Sequence, residues 1–448
     1  MKTRGIFLGY VLGTLCLIAL FINTAAQGAD FTDHLRGITI GPGILDLGGS
    51  IRFRYESMDN YSIKGYGTGK TDDVLLSRLR AHLRYTFPEG PIFSIQGQDA
   101  RFWLSDLKKD DFGPSCPWLN EFDLRQAYME WKRIGHSPLG FKIGRQAISY
   151  GDNRIFGPGN WGNVGRYTWD VGKLLLNTSL FDLDIFGGQR VFYLKDKFDD
   201  EHFPYHVYTA YAQIKSIPGG NKLDLFYVVK RNPDETTKGE AGIGDLLVQT
   251  AGFYGKGKWQ DLDYAGTFAY QFGDYGKDNI RALGLNAEVG YTPFQRFQPR
   301  VAVSLSYASG DKDPNDGTHG TFDGVFGAID KYYGRMNFFS WMNLVDWEIG
   351  ISVKPLKGMK VELDYHRFRL AQAKDAWYFC NGKKMRWDPS GASGRDLGQE
   401  IDLIWKYRVH RHITLMAGCA WFFPGDFIKA TGTHDDARWA FGQIELTF

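Results

Sequence analysis

74-VLLSRLRAHLRYTF-87 sets Arg78, Arg80, His82 and Arg84 on every second residue, with Leu79, Ala81, Leu83 and Tyr85 in the gaps and Leu75 extending the apolar set. A helix would mix the two sets around its circumference, whereas an extended chain puts one on each face. The segment is a strand between two different solvents. Were the basic face turned to hydrocarbon, each arginine near the bilayer centre would cost about 2–4 kcal/mol. Three of them would rival the ~5–15 kcal/mol that holds an ordinary domain together. The arginines must face water and the leucines lipid.

The pattern recurs. In 45–55, Leu45, Leu47, Ile51, Phe53 and Tyr55 alternate with Asp46, Ser50, Arg52 and Arg54. In 262–272, Leu262, Tyr264, Phe268, Tyr270 and Phe272 alternate with Asp263, Thr267 and Gln271. Similar dyads cover 181–185, 223–229, 283–291, 301–307, 345–353, 359–365, 401–407 and 413–421, with fainter ones at 122–132, 168–177 and 205–214. Counted along the chain they make about 18 strands, each near the ~9–11 residues that a tilted membrane strand needs. The links at 57–72, 104–121, 148–167, 191–204, 231–244, 308–340, 371–396 and 424–437 read as long and polar, and those at 88–91, 216–221, 255–258 and 355–358 as tight. Long extracellular loops and short periplasmic turns are the habit of bacterial outer-membrane barrels. The expected fold is all-β, a transmembrane antiparallel up-and-down β-barrel, of a size that leaves an aqueous channel.

Composition fits: of 448 residues 16% are aromatic and 55 are glycine, which suits strands and turns. Lys2 and Arg4, an apolar run over 6–22 and small residues at Ala25, Ala26 and Ala29 predict a signal peptide over 1–29. That leaves 30–448 as a single barrel domain, with no room for a plug before Leu45. Without Lys2 and Arg4 the 53 basic residues equal the 51 acidic ones, which excludes a nucleic-acid partner of the polycation kind. Cys116, Cys380 and Cys419 remain, an odd count against a disulfide framework, with a Cys116–Cys380 bridge and free thiols both open.

The segment 140-GFKIGRQAISYGDNRIFGPGNWGNVGRYTWD-170 resembles the alginate export family of outer-membrane proteins. So do GSIRFRYE at 49–56, DDVLLSRLR at 72–80, GQDAR at 97–101, LRQAYMEW at 124–131, SGDKDPNDGTHGTFDGVFG at 309–327, DYHRFRLAQAKDAWY at 364–378, GQEIDLIW at 398–405 and FFPGDF at 422–427. The resemblance implies a monomeric 18-stranded barrel with an arginine-lined constriction, passing an anionic polyuronate outward. It carries over Arg145, Asp152 and Arg154 in GRQ-x4-GDNR, and Arg101 in QDAR.

A polyanion channel needs fixed positive charge in a narrow passage, and the guanidinium fork matches a uronate carboxylate in two hydrogen bonds. Arg52, Arg54, Arg78, Arg80, Arg84, Arg101, Arg145, Arg154, Arg166 and Arg190 are the channel-lining candidates, with Asp46, Asp99, Asp152 and Asp182 to hold their forks. The bland alternative is a salt-bridge ladder that stiffens the wall. Lipid and lipopolysaccharide, an anionic polysaccharide or small anionic solute, and periplasmic export components are the expected partners.

Other motifs carry less. Gly157-Pro158-Gly159-Asn160-Trp161-Gly162 matches G-x-G-x-x-G but opens no βαβ helix, so its glycines read as a tight loop folded into the lumen. Asp311, Asp313, Asn315 and Asp316 give a calcium-like spacing in an outer loop, without the Gly at 316 or the Glu at 322 that such a loop uses; a solvated acidic turn is the alternative. His434-Asp435-Asp436 is a polar outer loop, and Trp103, Trp131, Trp405 and Trp421 suit the interfacial belt. No HExxH, GxSxG or CxxC occurs. The expectation is a non-enzymatic channel exporting an alginate-like polysaccharide. An uptake porin for small anionic or aromatic compounds, an outer-membrane hydrolase and an adhesive barrel are the alternatives.

Overall fold

The computed structural model describes residues 31–215, 217–330 and 332–448. The expected signal peptide, 1–29, lies outside them. Eighteen antiparallel strands form one closed barrel. They are β1 (Gly43–Ser62), β2 (Gly65–Thr86), β3 (Ile92–Trp103), β4 (Asn120–Trp131), β5 (Leu139–Gln146), β6 (Trp169–Asn177), β7 (Phe181–Val191), β8 (His202–Ile214) and β9 (Lys222–Lys238). The remainder are β10 (Ile243–Trp259), β11 (Leu262–Tyr275), β12 (Asp278–Tyr291), β13 (Arg300–Ala308), β14 (Leu344–Val353), β15 (Met359–Leu370), β16 (Asp396–His410), β17 (Ile413–Pro424) and β18 (Ala437–Thr447). Each strand pairs with its neighbours in sequence, and the seam is β1 on β18, from Ser50↔Thr447 to Asp59↔Arg438. Closure satisfies every strand edge, the condition for β-structure in hydrocarbon. No helix of the described residues is long and apolar enough to cross a membrane.

The two solvents are visible in the exposures. On neighbouring β13 and β14, Val301, Val303, Trp347 and Ile349 are 48–50% exposed, while Ser304, Ser306 and Asp346 between them are 3% or less. Apolar side chains face outward and polar ones are packed inside, the reverse of a soluble sandwich. Leu83 of the opening stretch is exposed on the outer face, and Arg78 and Arg80 are buried within.

Three expected links differ. Residues 57–72 are mostly strand: β1 and β2 stay paired up to Ser62↔Gly65, leaving Ile63 and Lys64 as the turn. β9 and β10 likewise project, so only 239–242 connects them. Beyond the headgroups both faces meet water, so the apolar dyad fades while the hydrogen-bond ladder continues. Residues 255–258 belong to β10, whose turn is Gln260–Asp261. A Cβ at Gly257 would lie 2.0 Å from Asn221 Oδ1 and 2.4 Å from the Tyr264 hydroxyl, so both side chains would have to move to admit one.

The lumen is not empty. The loops 147–168 and 309–343 fold inward, and the segment 371–395, with its small hairpin Trp377–Tyr378/Lys384–Arg386, covers the extracellular half. Phe338, Phe339, Trp341, Trp377 and Phe422 are almost wholly buried there, with ring contacts such as Phe339–Phe368 at 4.1 Å. Helix α1 (Asp426–Thr431) adds Phe427 and Ile428 to this core. All three described cysteines are free thiols.

Candidate substrate path through the lumen

Strand register brings the basic dyads together, since Arg52 lies opposite Arg78 and Ser50 opposite Arg80 across β1 and β2. Their guanidinium groups converge on one target, the loop 147–168. Arg52 donates to the carbonyls of Asn160 (3.2 Å), Trp161 (3.0 Å) and Gly162 (3.2 Å). Arg78 donates to Asn160 (2.8 Å) and Gly162 (3.1 Å), and Arg54 to Trp161 (2.8 Å). Arg80 reaches Asn160 Oδ1 (3.0 Å) and Arg125, from β4, both Asn160 Oδ1 (3.3 Å) and the Val164 carbonyl (3.1 Å). A wall of cations thus grips the carbonyl side of a loop that has no strand partner for those groups. Gly165 adopts φ +94°, and a Cβ there would sit 2.7 Å from the Arg125 guanidinium.

The second loop is held by opposite chemistry. Glu400 and Asp402, inward on β16, accept the backbone amides of Met336 (2.9 Å) and Arg335 (3.2 Å). His366 of β15 stands between Asp346 (3.1 Å) and Asp402 (3.7 Å), all three buried. Gly334 (φ +80°) lies against the Glu400 carboxyl, 2.5–2.6 Å from where a Cβ would be. One stretch of the barrel wall, β1–β4, is therefore cationic and another, β14–β16, anionic.

The two loops meet inside the lumen and form a bar. Gly157 donates to the Phe326 carbonyl (3.0 Å), Phe326 to Ile155 (3.1 Å) and Ala328 to Asn153 (2.9 Å). Arg154 latches them: its Nε holds Asp152 (3.0 Å), its Nη1 donates to the Tyr333 hydroxyl (3.0 Å), and it lies 4.1 Å over the Tyr332 ring. The Tyr332 hydroxyl donates to the Asp152 carbonyl.

Beside the bar opens a cavity of about 1720 Å³, larger than the ~300–1,000 Å³ of small-ligand clefts. Arg54, Arg154, Arg166 and Arg190 line it with Lys230. Arg54 is paired with Glu56 (2.6 Å), Arg154 with Asp152 and Lys230 with Asp323 (2.8 Å). Arg166 and Arg190 hold no ion pair with a described residue. Arg166 Nη2 donates to the Cys380 carbonyl (2.6 Å), and Arg190 Nη2 to the Arg166 carbonyl (3.2 Å). Arg190 packs between the rings of Tyr167 (4.3 Å) and Phe203 (4.0 Å), its buried Nε without a hydrogen-bond partner.

The other candidates lie elsewhere. Arg84 is inward and exposed, opposite Asp46 in register, and Asp46 accepts the Gly37 amide (2.9 Å). Asp182 is bound to Lys215 (2.5 Å) at the periplasmic end. Arg101 with Asp99 (2.9 Å) and Arg145 with Asp170 (2.9 Å) are on the outer face, in phase with outward Ile95 and Ile143, near the extracellular rim. Asp311, Asp313 and Asp316 accept amides of their own loop, from Gly320, Asp313, Asn315 and Thr318. In the loop 192–201, Asp199 lies buried beside Asp123, and this burial, reinforced by the neighbouring charge, pushes its carboxyl well above the usual range. Arg125, Lys230 and the anionic arc were not singled out by sequence. Arg125 is a bulge residue, extra to its partner strand, which breaks the dyad.

A family model described as alginate export matches residues 44–441. No curated protein matches the sequence. In fold the chain is similar to OpdQ of Pseudomonas aeruginosa (12% identity, TM-score 0.59, covering 90% of this chain and 97% of that one). It is also similar to OccAB2 of Acinetobacter baumannii (11%, TM-score 0.59, 90% and 98%) and to the outer membrane protein OprD of P. aeruginosa (10%, TM-score 0.57, 90% and 94%).

Proposed function

We propose, from the premise that the chain belongs to the alginate export family of outer-membrane channels, that its lumen selects ring-shaped solutes carrying carboxylates. The observation that carries this is the pair Arg166 and Arg190: two cavity-lining guanidiniums with no ion-paired carboxylate, beside the rings of Tyr167 and Phe203. A uronate presents a carboxylate to the fork and an apolar sugar face to the aromatic rings. Export of an alginate-like acidic polysaccharide is the leading reading, supported by the family and by a cavity roomy enough for several sugar units. Uptake of small anionic or aromatic compounds is the second, favoured by the bar of paired loops, which narrows the path for a polymer. Arg52, Arg54, Arg78, Arg80 and Arg154 act through the loops they hold. In planar bilayers, oligouronate should block the current, and Arg166→Gln with Arg190→Gln should weaken that block by about tenfold or more, one charged hydrogen bond being worth ~1.5–3 kcal/mol. Equal block by both proteins would remove these residues from the path. Stronger block by a monomeric aromatic carboxylate than by the oligomer would favour uptake.

A further inference from the structure

The outer face of the barrel is asymmetric in a way the lumen does not require. Among the described residues, outward positions in the periplasmic halves of the strands carry no arginine or lysine, whereas those at the extracellular ends carry several arginines. Some of these are neutralised within the protein, Arg101 by Asp99, Arg145 by Asp170 and Arg367 by Asp396. Arg231 on β9 and Arg281 on β12 are exposed and hold no ion pair with a described residue; they stand three strands apart, with outward Asp274 of β11 between them, level with Arg231 through Leu247. Register places Arg231 directly opposite His206 on β8, and Arg281 directly opposite Phe272 on β11. Immediately toward the periplasm, Tyr208, Tyr227, Tyr270 and Phe272 are 36–51% exposed on the same surface. Guanidiniums set above an aromatic band have the profile of a seat for an amphiphile whose anionic head rests at the rim and whose chains run down the wall.

We propose that Arg231, His206 and Arg281 form a seat for the phosphate groups of lipid A in the outer leaflet. Arginine suits this partner because its fork takes a phosphate in two hydrogen bonds, and near the interface it is tolerated on the lipid face at only ~0–1 kcal/mol. The location selects the source: the cations lie at the extracellular end, where lipopolysaccharide is the lipid, and are missing from the periplasmic end, where phospholipid is. This seat is on the outside of the wall and is independent of what passes within.

The test is native mass spectrometry of the full-length protein in detergent, exposed separately to bis-phosphorylated lipid A, monophosphoryl lipid A and phosphatidylglycerol. The wild-type protein should retain the bis-phosphorylated form, and Arg231→Gln with Arg281→Gln should retain about tenfold less or lower still. Removal of one phosphate should weaken retention by the wild-type protein in the same direction. Equal retention by wild type and variant, or preferential retention of phosphatidylglycerol, would overturn the proposal. Heat-modifiable gel mobility checks that the variant is a folded barrel, and Arg231→Gln alone, with the same expectation in smaller degree, serves if the double variant is not.

Discussion

The arginines of β1 and β2 should couple through the loop they share, and Arg52→Met with Arg78→Met tests this as a double-mutant cycle. The carbonyls of Asn160 and Gly162 each accept from both arginines, so either single substitution leaves each carbonyl one donor. A lost charged hydrogen bond costs ~1.5–3 kcal/mol. Relief of repulsion among neighbouring guanidiniums offsets part of that, so each single variant should weaken loop anchoring by only about 1 kcal/mol. The double variant strips both carbonyls, on exposed Asn160 and half-buried Gly162, at about 1 kcal/mol for each, the low end of the cost of an unsatisfied group. Its effect should exceed the sum of the singles by about 2 kcal/mol or more, roughly a thirtyfold increase in loop opening. Cys116 provides the readout. It is 1% exposed, and the loop seals the chain beside it through Val164 on the Pro117 carbonyl (3.3 Å) and Asn163 on that of Trp118 (2.8 Å). With Cys380 and Cys419 changed to serine, the labelling rate of the remaining thiol should rise little in each single variant and steeply in the double one. Additive changes within ~0.5 kcal/mol would refute the idea of a shared clamp.

Two further outcomes are expected. Gly334→Ala combines a left-handed backbone with a Cβ set against Glu400, so it should release the loop 309–343 at a cost of about 1–3 kcal/mol; unchanged channel noise and thermal stability would sink this. Asp199, whose carboxyl is pushed up by burial next to Asp123, binds a proton more tightly folded than unfolded. Its contribution is therefore present at low pH and lost as pH rises from the ordinary carboxylate range through the raised value. Tryptic nicking at Lys195 and Lys197 should accelerate between about pH 5 and pH 9 in the wild type relative to Asp199→Asn, and parallel pH profiles would count against it.

The barrel was legible because hydrocarbon on one side and water on the other write period-two alternation into each strand. Arg78, Arg80, Leu83 and the seam strand with Ile444, Leu446 and Phe448 follow that rule. The same alternation on β15 and β16 sets Asp364, His366, Glu400 and Asp402 opposite Tyr365, Ile401 and Leu403, so the anionic arc is written in the sequence as plainly as the arginines. What alternation cannot say is which inward cation faces solvent and which faces a loop. Arg52 and Arg78 grip carbonyls more than 80 residues away, and nothing local in either dyad encodes that. The motifs that carry Arg101 and Arg145 say nothing of which face they take, and their parity with Ile95 and Ile143 puts them outside.

The seam between β1 and β18 has a bearing on how the molecule is assembled. Its pairs, such as Ser50 with Thr447, are separated by nearly the whole described chain, so they carry the greatest closure entropy and are the last contacts to be worth making. Until they form, the partly built sheet presents two raw margins of amides and carbonyls, each unmet group costing several kcal/mol in lipid. Insertion and sealing must then be nearly one event, with the first strand sheltered by something other than bilayer until the last arrives to zip against it.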